Sequence, residues 1–359
     1  MELDYSNFNI EKDDFISFDK RESNNNSKFQ NGIFIYGLGD YSRVYITPHF
    51  KMITKICCVD YNSLLTEYYR KKYNFLHSKL IYKDTFSLVK NTDYPLIIIA
   101  TYHSDHSRMA LELFEKNPNA YIFIEKPPCV TYEDILILKS LFERRANLEI
   151  GFNRRYIPYN NLIKEKISGK RVVITMSIKE ILINKNHWYL WKNQGTRITG
   201  NLVHWIDLSI FWIDSIPITI NLLADNSKSD DLALSILFDN GSIVNITVSD
   251  EGNSLRGVQE FIEIRFDNET IIIEDYIKFT HIQSDGKKIT KRKILRDKGH
   301  DQMYKKLMER YKDQQKGSYT LNDLIKTSII TLRASEMFLN GKKSIEIKDE
   351  VLNLVGRIS

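Results

Sequence analysis

Residues 95–100, PLIIIA, form an unbroken apolar run. A strand with one wet face alternates; a strand buried on both faces does not. This run therefore predicts a central strand of a parallel sheet, which needs helices on both faces. A second apolar run, Ile33–Tyr36, flows into Gly37-x-Gly39-x-x-Ser42, and a third, Ile53–Val59, ends in Asp60. Helical patterns at Ser42–Phe50 (broken near Pro48), Ser63–Tyr73, Ser107–Glu115 and Tyr132–Arg145 alternate with strands at Tyr121–Ile124 and Leu148–Gly151. Strand–helix alternation with short loops predicts a doubly wound α/β domain over residues 31–150.

After residue 151 the texture changes. Helices are expected at Ile157–Ile167, Asn201–Ile213 and Leu321–Asn340, the last stopped by Gly341. Strands are expected at Arg171–Ile178, Ile218–Leu223, Asp231–Phe238, Ser242–Val248, Phe261–Phe266 and Thr270–Glu274. Asn240-Gly241 is a strong hairpin turn between two of them. This predicts an α+β domain over 151–359 with a large, mostly antiparallel open sheet. Residues 1–30, polar and containing SNNNS, read as a poorly ordered leader or docking arm.

Three cysteines, two of them adjacent, cannot make a disulfide framework, and no Cys/His cluster has metal-ligand spacing. No metal is expected, and a cytoplasmic setting fits. The first residues show no signal peptide, and no apolar stretch reaches the ~18 residues of a membrane span. A net charge of +5 is too mild for a nucleic-acid footprint. The basic run 287–300 is either a solvated hairpin arm or an attraction for anionic sugars.

The opening glycine motif has a chemical reading. Gly37 permits a tight turn, Gly39 lets backbone approach a pyrophosphate, and the following helix start, with Asp40, Tyr41 and Ser42, supplies N–H groups. Asp60, twenty-three positions after Gly37, stands where a carboxylate would accept hydrogen bonds from an adenosine ribose. No arginine adjoins it to receive a 2′-phosphate, so NAD is favoured over NADP. The alternative is an ordinary strand–helix turn with a solvated aspartate.

Further motifs follow in order: IIIATYHSDH (97–106), FIEKPP (123–128), IGFNRRYIP (150–158), NHWYLW (186–191) and GTRITGNLVHWIDL (195–208). As a set they resemble the Gfo/Idh/MocA family, the glucose–fructose oxidoreductase and inositol dehydrogenase group, over nearly everything after residue 31. GDYSRVYITP, VQEFIEI and RDKGH are similar to landmarks of a subgroup found in surface-polysaccharide gene clusters, where the dehydrogenase is fused behind a medium-chain dehydrogenase-like half.

The resemblance implies a Rossmann domain binding NAD(P), a second domain whose sheet mediates homo-oligomerisation, and a sugar or polyol substrate between them. Lys126 matches the family's EKP lysine and His204 its acid/base histidine, so these two are the expected catalytic residues. Glu125 and Pro127 shape the lysine's turn, and Thr101 and His106 match the cofactor-side loop, where Tyr102 replaces the usual proline. Arg154, Arg155, His187, Trp188, Arg197, Asn201 and Asp207 are the expected substrate-side residues, with Asp207 also placed to fix the tautomer of His204. Gly200 stands where many members carry Asp, and Asn201 where the subgroup carries Glu. The expected activity is NAD(P)-dependent interconversion of a sugar hydroxyl and ketone. The rivals are a non-catalytic dinucleotide or sugar sensor, an imine or double-bond reductase, and a partner subunit of a medium-chain dehydrogenase.

Overall fold

The computed structural model describes residues 32–50, 56–73, 76–78, 85–184, 186–225, 229, 231–253 and 257–356. The expected leader and the first residues of the strand begun at Ile53 lie outside them. Six strands build the first sheet: β1 (Ile33–Tyr36), β2 (Ile56–Val59), β3 (Leu76–Ser78), β4 (Leu96–Ile99), β5 (Tyr121–Glu125) and β6 (Asn147–Gly151). All pair in parallel, in the order β3-β2-β1-β4-β5-β6. The β1, β2, β4 and β5 side chains are buried throughout, as unbroken apolar runs require. β3 escaped the sequence reading because Leu-His-Ser carries a single apolar residue.

Helices α1 (Ser63–Tyr73), α2 (Phe86–Lys90), α3 (His106–Lys116) and α4 (Tyr132–Glu143) connect these strands. A reciprocal cap between Thr131 and Asp134 fixes the start of α4. The helix expected at Ser42–Phe50 is instead a wide π-type turn over Ser42–Ile46 followed by a 3₁₀ turn over Thr47–His49. Thr47 explains the difference, since both its N–H and its hydroxyl donate to the Ser42 carbonyl. Pro48 then has no N–H with which to continue a regular helix.

The strand order reverses between β1 and β4, so a crevice opens above their C-terminal ends. Close approach of the two loops sets its floor. Gly37 has φ +91°, and a β-carbon there would lie 2.2 Å from the Ala100 carbonyl oxygen.

The second sheet has nine strands. These are β7 (Val172–Lys179), β8 (Pro217–Ala224), β9 (Leu232–Phe238), β10 (Ile243–Ser249), β11 (Gln259–Phe266), β12 (Glu269–Glu274), β13 (Lys278–Ile282), β14 (Lys288–Arg292) and β15 (Ser344–Glu346). Their order is β14-β13-β12-β11-β7-β10-β9-β8-β15, antiparallel except between β7 and β10. The expected Asn240-Gly241 turn joins β9 to β10, with Gly241 at φ +79°. β14 is exposed along its length, and its lysines and arginine suit a free sheet edge. That places part of the basic run in a solvated hairpin.

Helices α5 (Asn160–Ile167), α6 (Val203–Trp212), α8 (Leu321–Asn340) and α9 (Lys348–Val355) accompany this sheet. Nine of the ten α6 residues are buried, which accounts for its nearly uniform apolar composition. Its start differs from expectation, since Ile198–Leu202 is a π-type turn leading into it.

After β14 the chain returns to the first sheet. Helix α7 (His300–Lys312) inserts Met303, Tyr304, Leu307 and Tyr311 into the core that holds Ile33, Ile35, Ile98 and Phe123. Tyr311 donates to the Tyr94 carbonyl at 2.9 Å, and the two rings stack 5.3 Å apart. The role of α7 was not read from the sequence, although Met303, Tyr304, Leu307, Met308 and Tyr311 recur at helical spacing among its charged residues.

One buried carboxylate joins the two layers. Glu260 accepts two hydrogen bonds from Arg154, at 2.9 and 2.7 Å, and one each from the Trp205 indole (2.6 Å) and the Tyr276 hydroxyl (2.7 Å). Lys298 stands 3.1 Å away. Burial alone would raise the acid's pKa, but Arg154 and Lys298 outweigh it and hold Glu260 down to about 2.

Glu260→Gln should lose roughly 3 kcal/mol in urea unfolding at pH 7, since it leaves a buried guanidinium without its counter-charge. A depressed folded pKa stabilises fully above the unfolded value, so the gap between parent and variant should narrow as pH falls from about 4.5 through about 2. Gly37→Ala should cost at least ~2 kcal/mol by the same assay, combining the left-handed penalty with the carbonyl clash. Gly39→Ala, with nothing within 4 Å of the added carbon, should change stability by less than about 1 kcal/mol.

Candidate active site

The crevice between the β1 and β4 loops holds a cavity of about 260 Å³ lined by Gly37, Gly39, Asp60, Thr101, Tyr102 and Trp188, among others. Of the expected cofactor-side residues, Gly37, Gly39, Asp60 and Thr101 line it. Asp60 sits at the end of β2 and accepts from the Leu38 N–H (2.7 Å) and the Asn62 N–H (2.8 Å). Those two bonds aim the carboxylate while leaving further lone pairs for a ligand. Burial raises its pKa, and the two backbone bonds oppose the rise.

Ser42 closes the glycine turn by donating to the Gly37 carbonyl at 2.5 Å. Asp40 neither caps the turn nor faces inward, being exposed and paired with Arg43 at 2.9 Å. That removes the repulsion a carboxylate there would exert on an anionic ligand. Tyr41 turns the other way, toward Glu125 and Tyr304. The Thr101 hydroxyl is buried at the cavity wall and has no hydrogen-bond partner, an unsatisfied group of the kind a ligand completes. His106 is buried, its ring nitrogens 2.8 Å from the Pro127 carbonyl and 3.2 Å from that of Thr101. It therefore clasps two site loops together and does not face the cavity.

Lys126 follows β5 at the same edge of the sheet, before a cis peptide bond to Pro127. Its ammonium donates to the Gly200 carbonyl at 2.9 Å and to the Tyr189 hydroxyl at 3.3 Å. Burial pulls its pKa down, with Glu125 opposing and Arg154 assisting. Beneath it Glu125 is fully buried, accepting from the Tyr304 hydroxyl and from the Lys126 N–H. Burial pushes that carboxyl up. The two shifts bring acid and base closer in proton affinity, the condition for proton handling near neutral pH.

His204, on the first turn of α6, has a buried Nδ1 without a hydrogen-bond partner. Burial, then Arg154 and Lys126, hold its pKa well below the usual value, so the imidazole is neutral at pH 7. Asp207 does not fix its tautomer as expected. That carboxylate takes two bonds from Arg155 (both 2.7 Å) and others from Tyr319 (2.8 Å) and Thr327 (3.3 Å). Although i, i+3 neighbours can meet on a helix, the Asp207 carboxylate is taken up by Arg155, Tyr319 and Thr327 instead.

The paired arginines of the sequence reading are likewise internal. Arg154 is taken up by Glu260, and Arg155 by Asp207 and Asp323. Neither presents a free guanidinium fork to a substrate.

The loop before α6 covers the site. His187 is exposed, and its Nδ1 accepts from the Tyr189 N–H. Trp188 packs against Tyr102 and His103, at 5.2 and 4.9 Å between ring centres. Arg197 is buried, donating to the Ile181 carbonyl at 3.3 Å, with Asp250 at 3.7 Å. Asn201 accepts from the Tyr189 hydroxyl at 2.6 Å and donates to Glu180 at 3.0 Å.

Sequence reasoning missed Tyr189, Glu180 and Tyr304. Tyr189 lay inside a quoted motif, but nothing in the motif distinguished it from its aromatic neighbours. Glu180 directly follows β7 in a charged dipeptide that reads as surface, yet it is buried. Among the described residues no group of three His, Cys, Asp or Glu side chains could hold a metal, and no helix is long and apolar enough to cross a membrane. The three cysteines are free and buried.

No protein-family model matches the chain. It is 26% identical over 135 residues to an inositol 2-dehydrogenase/D-chiro-inositol 3-dehydrogenase of Lacticaseibacillus casei, covering 37% of this chain and 38% of the relative. It is 27% identical over 140 residues to a glucose-6-phosphate 3-dehydrogenase of Bacillus subtilis (strain 168), covering 36% and 39%. The matches thus span well under half of either relative. A levoglucosan dehydrogenase solved with NADH and L-sorbose shares the fold, with TM-score 0.72 at 13% identity over 89% of this chain and 99% of that one. Over these partial stretches the chain is similar to a polyol and a sugar-phosphate dehydrogenase, and across most of its length it shares the two-sheet fold of a solved one.

Proposed function

We propose that this chain is a nicotinamide-dinucleotide-dependent dehydrogenase or reductase interconverting a sugar hydroxyl and a ketone. The observation that carries the reading is Lys126. Its amine lies at the C-terminal edge of the first sheet, with its pKa lowered by burial, on the same edge as the glycine crevice. Gly37, Gly39, Asp60 and Thr101 fit a dinucleotide. The space over Gly39 is open, the Asp60 carboxylate is pre-aimed, and the Thr101 hydroxyl awaits a partner. Bound there, the nicotinamide supplies a hydride acceptor or donor.

The chain's own residues handle the proton. In the oxidative direction neutral Lys126 or neutral His204 takes the hydroxyl proton; in the reductive direction Lys126 returns it. NAD is the proposed form, because Asp60 rather than a cation occupies the ribose position. A homo-oligomer through the outer face of the second sheet, where Leu223 and Phe261 are exposed, completes the proposal. An anionic or nucleotide-linked sugar, and a place in surface-polysaccharide synthesis, draw no support from Arg154 or Arg155, both of which are ion-paired internally. The phosphorylated substrate in the name of one relative keeps that substrate class in the panel below.

One observation favours a sensor instead: neither Gly200 nor Asn201 can take up a proton. Purified protein mixed with NAD⁺ and a panel of sugars, sugar phosphates and nucleotide sugars, followed at 340 nm, separates the two. The expected result is turnover with at least one sugar, rising with pH as Lys126 deprotonates, and a loss of roughly 10²–10⁴-fold in kcat for Lys126→Ala. Dinucleotide binding without turnover across the panel would establish the sensor. Gly39→Val should weaken NADH uptake about tenfold or more by calorimetry, because its side chain fills the open space over the turn.

A further inference from the structure

The unusual Gly200-Asn201 pair has a structural counterpart. A β-carbon on Gly200 would lie 2.1 Å from Cε1 of Tyr189, so the tyrosine ring occupies the volume of a side chain at position 200. The glycine is what lets Tyr189 reach Lys126. Its hydroxyl then joins a sequence of hydrogen bonds: Lys126 Nζ to Tyr189 at 3.3 Å, Tyr189 to Asn201 Oδ1 at 2.6 Å, and Asn201 Nδ2 to Glu180 Oε2 at 3.0 Å.

The direction of every bond is dictated from the Glu180 end. An ionised carboxylate only accepts, so Asn201 must turn its NH₂ toward Glu180 and its carbonyl toward Tyr189. Tyr189 must then donate to that carbonyl and offer its lone pair to Lys126. Burial raises the Glu180 pKa and the nearby Arg197, Arg154 and Lys126 oppose that rise, while its other oxygen, Oε1, is buried without a hydrogen-bond partner. A tetrahedral nitrogen bonded to Cε and directed at the Gly200 carbonyl and the Tyr189 hydroxyl has one direction left.

We propose that Glu180, Asn201 and Tyr189 form a polarity-fixing chain that positions Lys126, leaving its remaining lone-pair or N–H direction for the substrate hydroxyl. Resting on the dehydrogenase reading, this makes the three of them positioning residues and Asn201 a functional replacement for the acid. Asparagine suits the middle link because it both accepts and donates; a carboxylate at 201 would face Glu180 with a second negative charge. Burial pushes the Tyr189 phenol well above its usual pKa, so it remains a neutral donor and acceptor.

Lys126 is also faced by Glu125 from its own strand, by Arg154 from the turn after β6, and by His103, His204 and His300 from three further segments. All of these stay constant across the variants below. The full chain is labelled with ¹³Cε-lysine and titrated by NMR, with Lys126 assigned by the loss of its signal in Lys126→Arg.

Tyr189→Phe keeps the ring in place and removes one acceptor for the ammonium, so the Lys126 midpoint should fall by about one pH unit. Asn201→Ala and Glu180→Gln should lower it too. Tyr189→Phe combined with Glu180→Gln should shift it by less than the sum, because part of each effect passes through the same bonds. Should Glu180→Gln not fold, Asn201→Ala, combined with Tyr189→Phe in its place, cuts the same chain at its middle. An unmoved midpoint in Tyr189→Phe, or strictly additive shifts in the double variant, would overturn the proposal. NADH fluorescence titration of the parent protein runs alongside. A parent that takes up no NADH defeats the dehydrogenase reading, while the lysine titration still decides the chain of bonds.

Discussion

The placement of Lys126 depends on a carboxylate that water does not reach. Glu125 ends β5 beneath the lysine, and burying a charge costs several kcal/mol unless hydrogen bonds replace its hydration. The structure supplies them from two distant places, Tyr304 on α7 and Tyr41 in the glycine turn, and from the adjacent backbone N–H of Lys126. One acid thus ties together the dinucleotide-type turn, the lysine and a helix contributed by the far end of the chain. This is why α7 crosses back to the first sheet before the last strand of the second is laid down.

Room for these groups is made by glycines used as negative space. A β-carbon on Gly151 would lie 2.9 Å from both Glu125 Oε2 and Phe123 Cζ, so the glycine of the IGFNRR stretch is the vacancy into which Glu125 fits. Gly200 plays the same part for Tyr189. The two sites share a logic: a side chain absent on one element admits a polar group from another. Neither glycine sits at a positive φ, so packing rather than backbone conformation requires them.

Much of the fold was legible because its strands are chemically distinct. PLIIIA and YIFI are apolar without interruption and could only be central strands, and α1 and α8 fall where their patterns end. β3, α2 and β15 were too short to show a period, and α7, β13, β14 and α9 were also not read from the sequence. For the site, the glycine turn and Asp60 stood out by their spacing after apolar strands, and Lys126 by its resemblance to the EKP motif. Arg154, Arg155 and Asp207 were expected on the substrate side, but Arg154 is paired with Glu260, and Arg155 with Asp207 and Asp323. Sequence shows that a charge is present and says nothing of the counter-charge a hundred residues away. Glu180 was hidden for the converse reason: an acid after a lysine reads as surface until burial is seen.

The account stands or falls on where a dinucleotide lies. Hydrogen exchange of the full chain, with and without saturating NADH, locates it directly. The predicted result is slowed exchange at the amides of 37–43, 60–65 and 100–106, with little change along β8–β10. Exchange unaltered at the glycine turn and at Thr101 while NADH is demonstrably bound, or protection confined to the second sheet, would contradict it.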